Sequence, residues 1–218
     1  MREAFSIILT VYDQGPELEA KLPAFLTQEY EPGYEVIVVD ESSTDDTPDV
    51  LKLLKNEYQY LYTTFLPKPS AQTFCRKLAF NIGIKASKYE YIILAKITAP
   101  PADTDILKAI AEVLDTKAQL TLGYVTKKHT RLQPFDTVDD ARKHILRSER
   151  KLKKIREWKN GNYIWGRYDF IIIRKDCTFE LLKLFEQKIS TGQLLGIRLS
   201  ILCQNLCRRS STTVLVSE

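Results

Sequence analysis

Two adjacent carboxylates, Asp40 and Glu41, open a run of acids and hydroxyls that continues through Ser42, Ser43, Thr44, Asp45, Asp46 and Thr47. Ionised carboxylates only accept hydrogen bonds, whereas hydroxyls both donate and accept, so such a run can meet the hydroxyls or base edge of a ligand. Its position strengthens that reading. The preceding Val36-Ile37-Val38-Val39 is an unbroken β-branched stretch that follows a turn signal at Pro32-Gly33. This pattern marks an interior strand of a parallel sheet, buried on both faces. Ligands of open α/β sheets sit outside the carboxyl ends of the strands, which is where Asp40 and Glu41 stand. A simpler reading is an acidic turn that only starts the next helix. Asp46 or Thr47 suits the N-cap, Pro48 the first turn, and Asp49 the positive end of the helix dipole.

The elements around this turn alternate. Phe5 to Thr10 reads as a first strand, with Gly15-Pro16 ending the loop after it. Leu18, Leu22, Phe25 and Leu26 then recur at helical spacing, with Glu17, Glu19 and Lys21 facing water. After the Val36 to Val39 strand come a short helix through Val50, Leu51, Leu53 and Leu54, and a strand from Tyr60 to Phe65. Gln72 to Ala86 reads as a helix, although Gly83 weakens it. Tyr91 to Ala95 is a second buried strand, Asp103 to Leu114 a helix, and Leu120 to Thr126 a further strand. Alternation of this kind predicts a twisted, mainly parallel, Rossmann-like sheet with helices on both faces.

Beyond Lys127 the alternation weakens. Asp139 to Lys159 reads as one long basic helix stopped by Gly161, Phe170 to Arg174 as a strand, and Phe179 to Ile189 as a helix. A last helix spans about Leu194 to Cys207, and Thr213 to Val216 is a short extended end. At 218 residues the expectation is one domain. A hydrophobic content of 44% with 28% charged residues argues against disorder. No apolar run approaches a membrane span, and Met1-Arg2-Glu3-Ala4 leads straight into a strand, so the expected location is cytoplasmic. Cys75, Cys177, Cys203 and Cys207 show no Cys-x-x-Cys spacing, and the histidines are His129 and His144 alone. Buried or free thiols are therefore expected rather than zinc or a disulfide framework.

The net charge of +4 is too small to imply nucleic acid, and no groove-reading motif accompanies it. Between Arg142 and Lys159, however, a dense group of Lys and Arg flanks an apolar strip of Ile145, Leu152, Ile155 and Trp158. That combination suits peripheral contact with an anionic membrane surface; the simpler reading is a surface helix whose strip packs on the sheet and whose charges are merely solvated.

Asp40-Glu41-Ser42-Ser43-Thr44-Asp45 resembles the acidic pair and Gly-Ser-Thr-Asp turn of family 2 glycosyltransferases, which have the GT-A fold. The resemblance extends to Ser6 through Asp13, to Asn81-Ile82-Gly83-Ile84-Lys85-Ala86, and to Glu90-Tyr91-Ile92. It covers the first half of the chain in family order and the second half loosely. It implies a GT-A-like domain over 1–218, with 1–126 the nucleotide-sugar-binding half and 127–218 the acceptor-side half. The implied partner is a nucleotide-sugar donor, usually uridine-linked. Thr10, Tyr12, Asp40, Glu41 and Ser43 fall on its nucleotide-binding positions. A carboxylate can accept the imide N–H of uracil, and a tyrosine ring offers a stacking face.

The sequence also departs from that family. Where its members place Asp-x-Asp to hold a divalent ion against the diphosphate, this chain has Lys96-Ile97-Thr98. A lysine repels a cation, so no metal cofactor is expected, and Lys96 is instead a candidate for the diphosphate. Ala79-Phe80-Asn81 stands where Ala-Arg-Asn is frequent. The stretch corresponding to the family's late catalytic base, Thr191 to Ile197, contains no acid, and Asp169 is the nearest alternative. Two functions follow as expectations. One is a glycosyltransferase with an altered reaction centre, metal-independent or inactive, acting on an unknown acceptor. The other is a non-catalytic nucleotide-binding or protein-interaction module that kept the fold.

Overall fold

Strand β2, Tyr34–Asp40, is buried at every residue, as its run of β-branched side chains requires. It lies in a computed structural model that describes residues 3–67, 75–114, 120–124, 132–135, 170–178 and 212–217. Two units are distinguished by their internal packing, Met1–Ala111 and Glu112–Glu218.

In the first unit β1, Phe5–Val11, pairs in parallel with β2 on one side and with β4, Tyr91–Ala95, on the other. β3, Leu61–Phe65, pairs in parallel with the far side of β2. The strand order β3-β2-β1-β4 reverses direction at β1, which places a topological switch point between the carboxyl ends of β1 and β4. Successive strand residues point to opposite faces. Tyr34 on one face sends its hydroxyl to the Leu26 carbonyl at the end of α1, Gly15–Leu26, and accepts the Gln28 amide. On the opposite face lie Ile8 and Val39, against which α3, Cys75–Ala86, brings Gly83. Helices therefore cover both faces, as the alternation predicts. A Cβ on Gly83 would stand 2.5 Å from Cγ2 of Ile8, so the glycine exists for close helix–sheet approach.

The amino ends of these strands are tied by a buried polar cluster. Glu35 accepts the Ser6 hydroxyl at 2.6 Å and the Lys88 amide at 2.8 Å, and Ser6 accepts the Tyr89 amide at 3.2 Å. Glu35 is buried, so these bonds and the Lys88 ammonium at 3.8 Å offset its desolvation.

Helix α2, Thr47–Glu57, buries Leu51 and Leu54, and α4, Ile106–Val113, buries Leu107 and Ile110. The helix expected from Asp103 starts later. The Asp103 carbonyl accepts the Gln28 side-chain amide and the Thr104 carbonyl accepts the Glu29 N–H, so both carbonyls are held by the end of α1. Gly15-Pro16, expected to end a loop, forms the first turn of α1, where a proline fits.

In the second unit β5, Leu120–Tyr124, pairs antiparallel with β7, Phe170–Arg174, and parallel with β8, Thr212–Ser217. β6, Leu132–Phe135, which the sequence pattern does not suggest, pairs antiparallel with β8. The segments expected as helices over 139–159, 179–189 and 194–207 lie outside the described residues, as do Asp169, Thr191 to Ile197 and the first three residues of the helix expected from Gln72. Among the described residues no helix is long and apolar enough to cross a membrane.

Candidate functional site

The carboxyl ends of β1 and β2 are joined by a clasp of side-chain bonds. In register Val11 faces Asp40, and the ladder continues one step further as the Glu41 amide donates to the Val11 carbonyl at 2.8 Å. Two non-glycine residues then turn with positive φ, Asp13 at 48° and Ser42 at 69°. Ser42 stands where the resembling turn has glycine, and its hydroxyl bonds the Leu66 carbonyl just beyond β3, holding that conformation. Aspartate tolerates the left-handed region well, which suits Asp13.

Across this gap Ser43 works in both directions. Its hydroxyl donates to Oδ1 of Asp40 at 2.6 Å and accepts the Asp13 amide at 2.9 Å, while its own amide also donates to Asp40 Oδ1 at 2.9 Å. Asp13 in turn accepts the Thr44 amide at 2.7 Å. Asp40 thus stays fixed through one oxygen, and Oδ2 takes part in none of these bonds. The sequence did not single out Asp13 as a functional residue, although an aspartate just past a strand end is a turn signal.

Asp45 serves two helices at once. It accepts the Gly15 amide at 3.1 Å, at the start of α1, and the Thr47 amide at 3.0 Å, at the start of α2. Thr47 accepts the Gln14 amide at 2.9 Å. Asp46 occupies the N-cap position of α2, but its side chain makes no capping bond; the residue before it does that work. The Thr47 hydroxyl is the main reason that Asp45's carboxyl lies below its ordinary 3.8; burial opposes this, and the Gly15 and Thr47 amides reinforce it. A depressed folded-state pKa contributes stability that is present above the unfolded value and lost as pH falls through the folded one. Wild type and Asp45→Asn are therefore expected to differ most in melting temperature near neutral pH and to converge in strong acid. A constant difference across the acid range would contradict this role.

The remaining candidates line the same edge. Thr10 is partly buried near the end of β1, Tyr12 is half-exposed beside it, Asp40 and Glu41 are buried, and Ser43 is partly buried. Lys96 is exposed one residue past β4, and the Ala99 amide donates to its carbonyl at 3.0 Å in a tight turn. Phe80, at the position where an arginine is frequent, is packed in the core. Among the described residues no group of three or more His, Cys, Asp or Glu is placed to hold a metal ion.

The sequence model of glycosyl transferase family 2 matches residues 6–95, the segment that carries β1 to β4 and the clasp. Residues 6–95 are family 2 glycosyltransferase-like. The chain's GT-A fold is also seen in the mannosyltransferase PcManGT from Pyrobaculum calidifontis, solved with GDP-Man and Mn2+. That likeness has a TM-score of 0.66 and 16% identity, over 100% of this chain and 57% of that one. TarS from S. aureus with UDP-GlcNAc gives a TM-score of 0.61 at 16% identity, over 98% of this chain and 58% of that one. In sequence, the hyaluronan synthase of Pasteurella multocida is 24% identical over 139 residues, 62% of this chain and 14% of that protein. The chain thus spans a small part of that synthase and little more than half of the solved neighbours.

Proposed function

We propose that the carboxyl edge of β1, β2 and β4 binds a nucleotide-sugar donor and that the chain transfers the sugar to an acceptor hydroxyl. The observation that carries this reading is the clasp, which fixes Asp40 beside buried Glu41 and half-exposed Tyr12 at the switch-point edge. Asp40 and Glu41 supply acceptors for the N–H edge of the base, a requirement that uracil and guanine share. Tyr12 supplies a stacking face, and Thr10 a hydroxyl. Ser43, engaged on both sides, acts by positioning Asp40. The solved relatives with GDP-Man and UDP-GlcNAc support the donor class.

In transfer, the bond from the sugar's anomeric carbon to the diphosphate oxygen breaks and one to the acceptor oxygen forms. The acceptor's proton passes to a general base. A second reading, a binding module without turnover, is favoured by the missing carboxylates at Lys96-Ile97-Thr98. Calorimetric titration with UDP, GDP, UDP-GlcNAc and GDP-Man, followed by assay of any binder for donor hydrolysis, separates the two. Binding with hydrolysis supports the transferase, binding alone supports the nucleotide-binding module, and no binding rejects the donor site.

The basic segment Arg142 to Lys159 completes the proposal as a contact for anionic membrane. Co-sedimentation with anionic but not neutral vesicles, lost in high salt and reduced by Lys153→Glu with Lys154→Glu, is the expected result. Wild-type protein that stays in the supernatant at low salt would reject that contact.

A further inference from the structure

We infer that the donor's diphosphate is held by the Lys96 ammonium and not through a divalent cation, an inference that rests on the donor-site reading above. A nucleoside diphosphate brought to this edge meets Asp13, Asp40, Glu41, Asp45 and Asp46 on the β1 and β2 side. Its negative charge needs a counter-charge or free N–H groups. Helix amino ends often supply the latter, but here they are engaged: the Gln14 and Gly15 amides at the start of α1 go to Thr47 and Asp45, and the Thr47 amide of α2 also goes to Asp45. A phosphate at either helix would have to displace the protein's own carboxylate.

A metal does not fit the remaining place. Hard divalent cations take carboxylate or carbonyl oxygens, and the residues following β4 are Lys96, Ile97 and Thr98. Ile97 is buried, and the Lys96 carbonyl already accepts the Ala99 amide. Among the described residues that follow the carboxyl ends of β1 to β4, at positions 12–14, 41–46, 66–67 and 96–98, Lys96 is the one cation. It directly follows β4, the strand that pairs with β1, at the β4 side of the switch point. The tight turn that follows fixes its backbone, and its side chain is exposed, so that the ammonium can give charge-assisted hydrogen bonds to phosphate oxygens. One positive charge then stands where an ion would bring two.

The test compares uridine with UDP, and guanosine with GDP, by calorimetry in EDTA and again in excess manganese. The diphosphate is expected to bind more tightly than its nucleoside by a ratio that EDTA leaves unchanged. Lys96→Ala should weaken the diphosphate about tenfold while leaving the nucleoside untouched, and Lys96→Arg should restore most of the loss. Because Lys96 is exposed, an unchanged melting temperature checks that the variants are folded. A wild-type diphosphate affinity that collapses in EDTA would overturn the inference and leave the donor site standing. Equal affinity for diphosphate and nucleoside would also overturn it. Binding of neither would overturn both.

Discussion

Gly83→Val is expected to lower the stability of the chain by about 2–3 kcal/mol, with a fall of roughly 2–4 °C in melting temperature per kcal/mol for a protein of this size. Even the first carbon of a side chain at this position would stand 2.5 Å from Cγ2 of Ile8 and 3.4 Å from Cγ2 of Val39. Both are β-branched residues of buried strands, so neither can swing aside without disturbing the sheet. Gly15 provides the contrast. A Cβ there would meet Asp46 Oδ1 at 1.9 Å, but that oxygen ends an exposed side chain able to rotate into water, so Gly15→Ala is expected to lose far less. Urea unfolding of the two variants measures the difference. Equal stabilities would mean that α3 does not lie against Ile8.

Asp40→Asn is expected to reduce nucleoside affinity about tenfold to a hundredfold while leaving the fold nearly as stable as wild type. The asparagine oxygen can still accept the Ser43 amide and hydroxyl, so the clasp survives. What changes is the second position of the carboxyl, which becomes an N–H donor and repels the N–H edge of a base. Calorimetry against uridine and guanosine reads the loss, and thermal unfolding checks the fold. An unaltered affinity would place the base elsewhere.

Strands buried on both faces are plain in the sequence, whichever unit they belong to. Val36 to Val39, Tyr91 to Ala95 and Phe170 to Arg174 have no polar alternation to confuse them, and each appears as a strand. β6 escapes notice because Leu132-Gln133-Pro134-Phe135 is short and contains a proline, which central strands reject and edge strands tolerate; it pairs with β8 through an antiparallel ladder. The late start of α4 is equally hidden, since the bonds that hold the Asp103 and Thr104 carbonyls come from Gln28 and Glu29, far away in sequence.

At the site, residue types indicate acids at a strand end, and the structure puts them there. Their division of labour is not legible. Asp40, Asp13 and Asp45 are chemically alike in the sequence, yet Asp13 and Asp45 bind backbone amides of neighbouring loops while Asp40 is fixed by a hydroxyl and an amide of Ser43. The Asp13 and Asp45 bonds to Thr44 and Gly15 join positions 31 and 30 residues apart in the chain, whereas the Asp40 bonds are local. The Gly83 landmark shows the opposite case: a glycine that weakens a helix in the sequence has its explanation in one contact with Ile8.

The most direct test of the donor site is a crystal structure of the chain with bound UDP or GDP. The base is predicted to lie against Tyr12 with its N–H edge toward Asp40 and Glu41, and the diphosphate to lie within reach of the Lys96 ammonium. A nucleotide bound away from the carboxyl ends of β1, β2 and β4 would contradict the account.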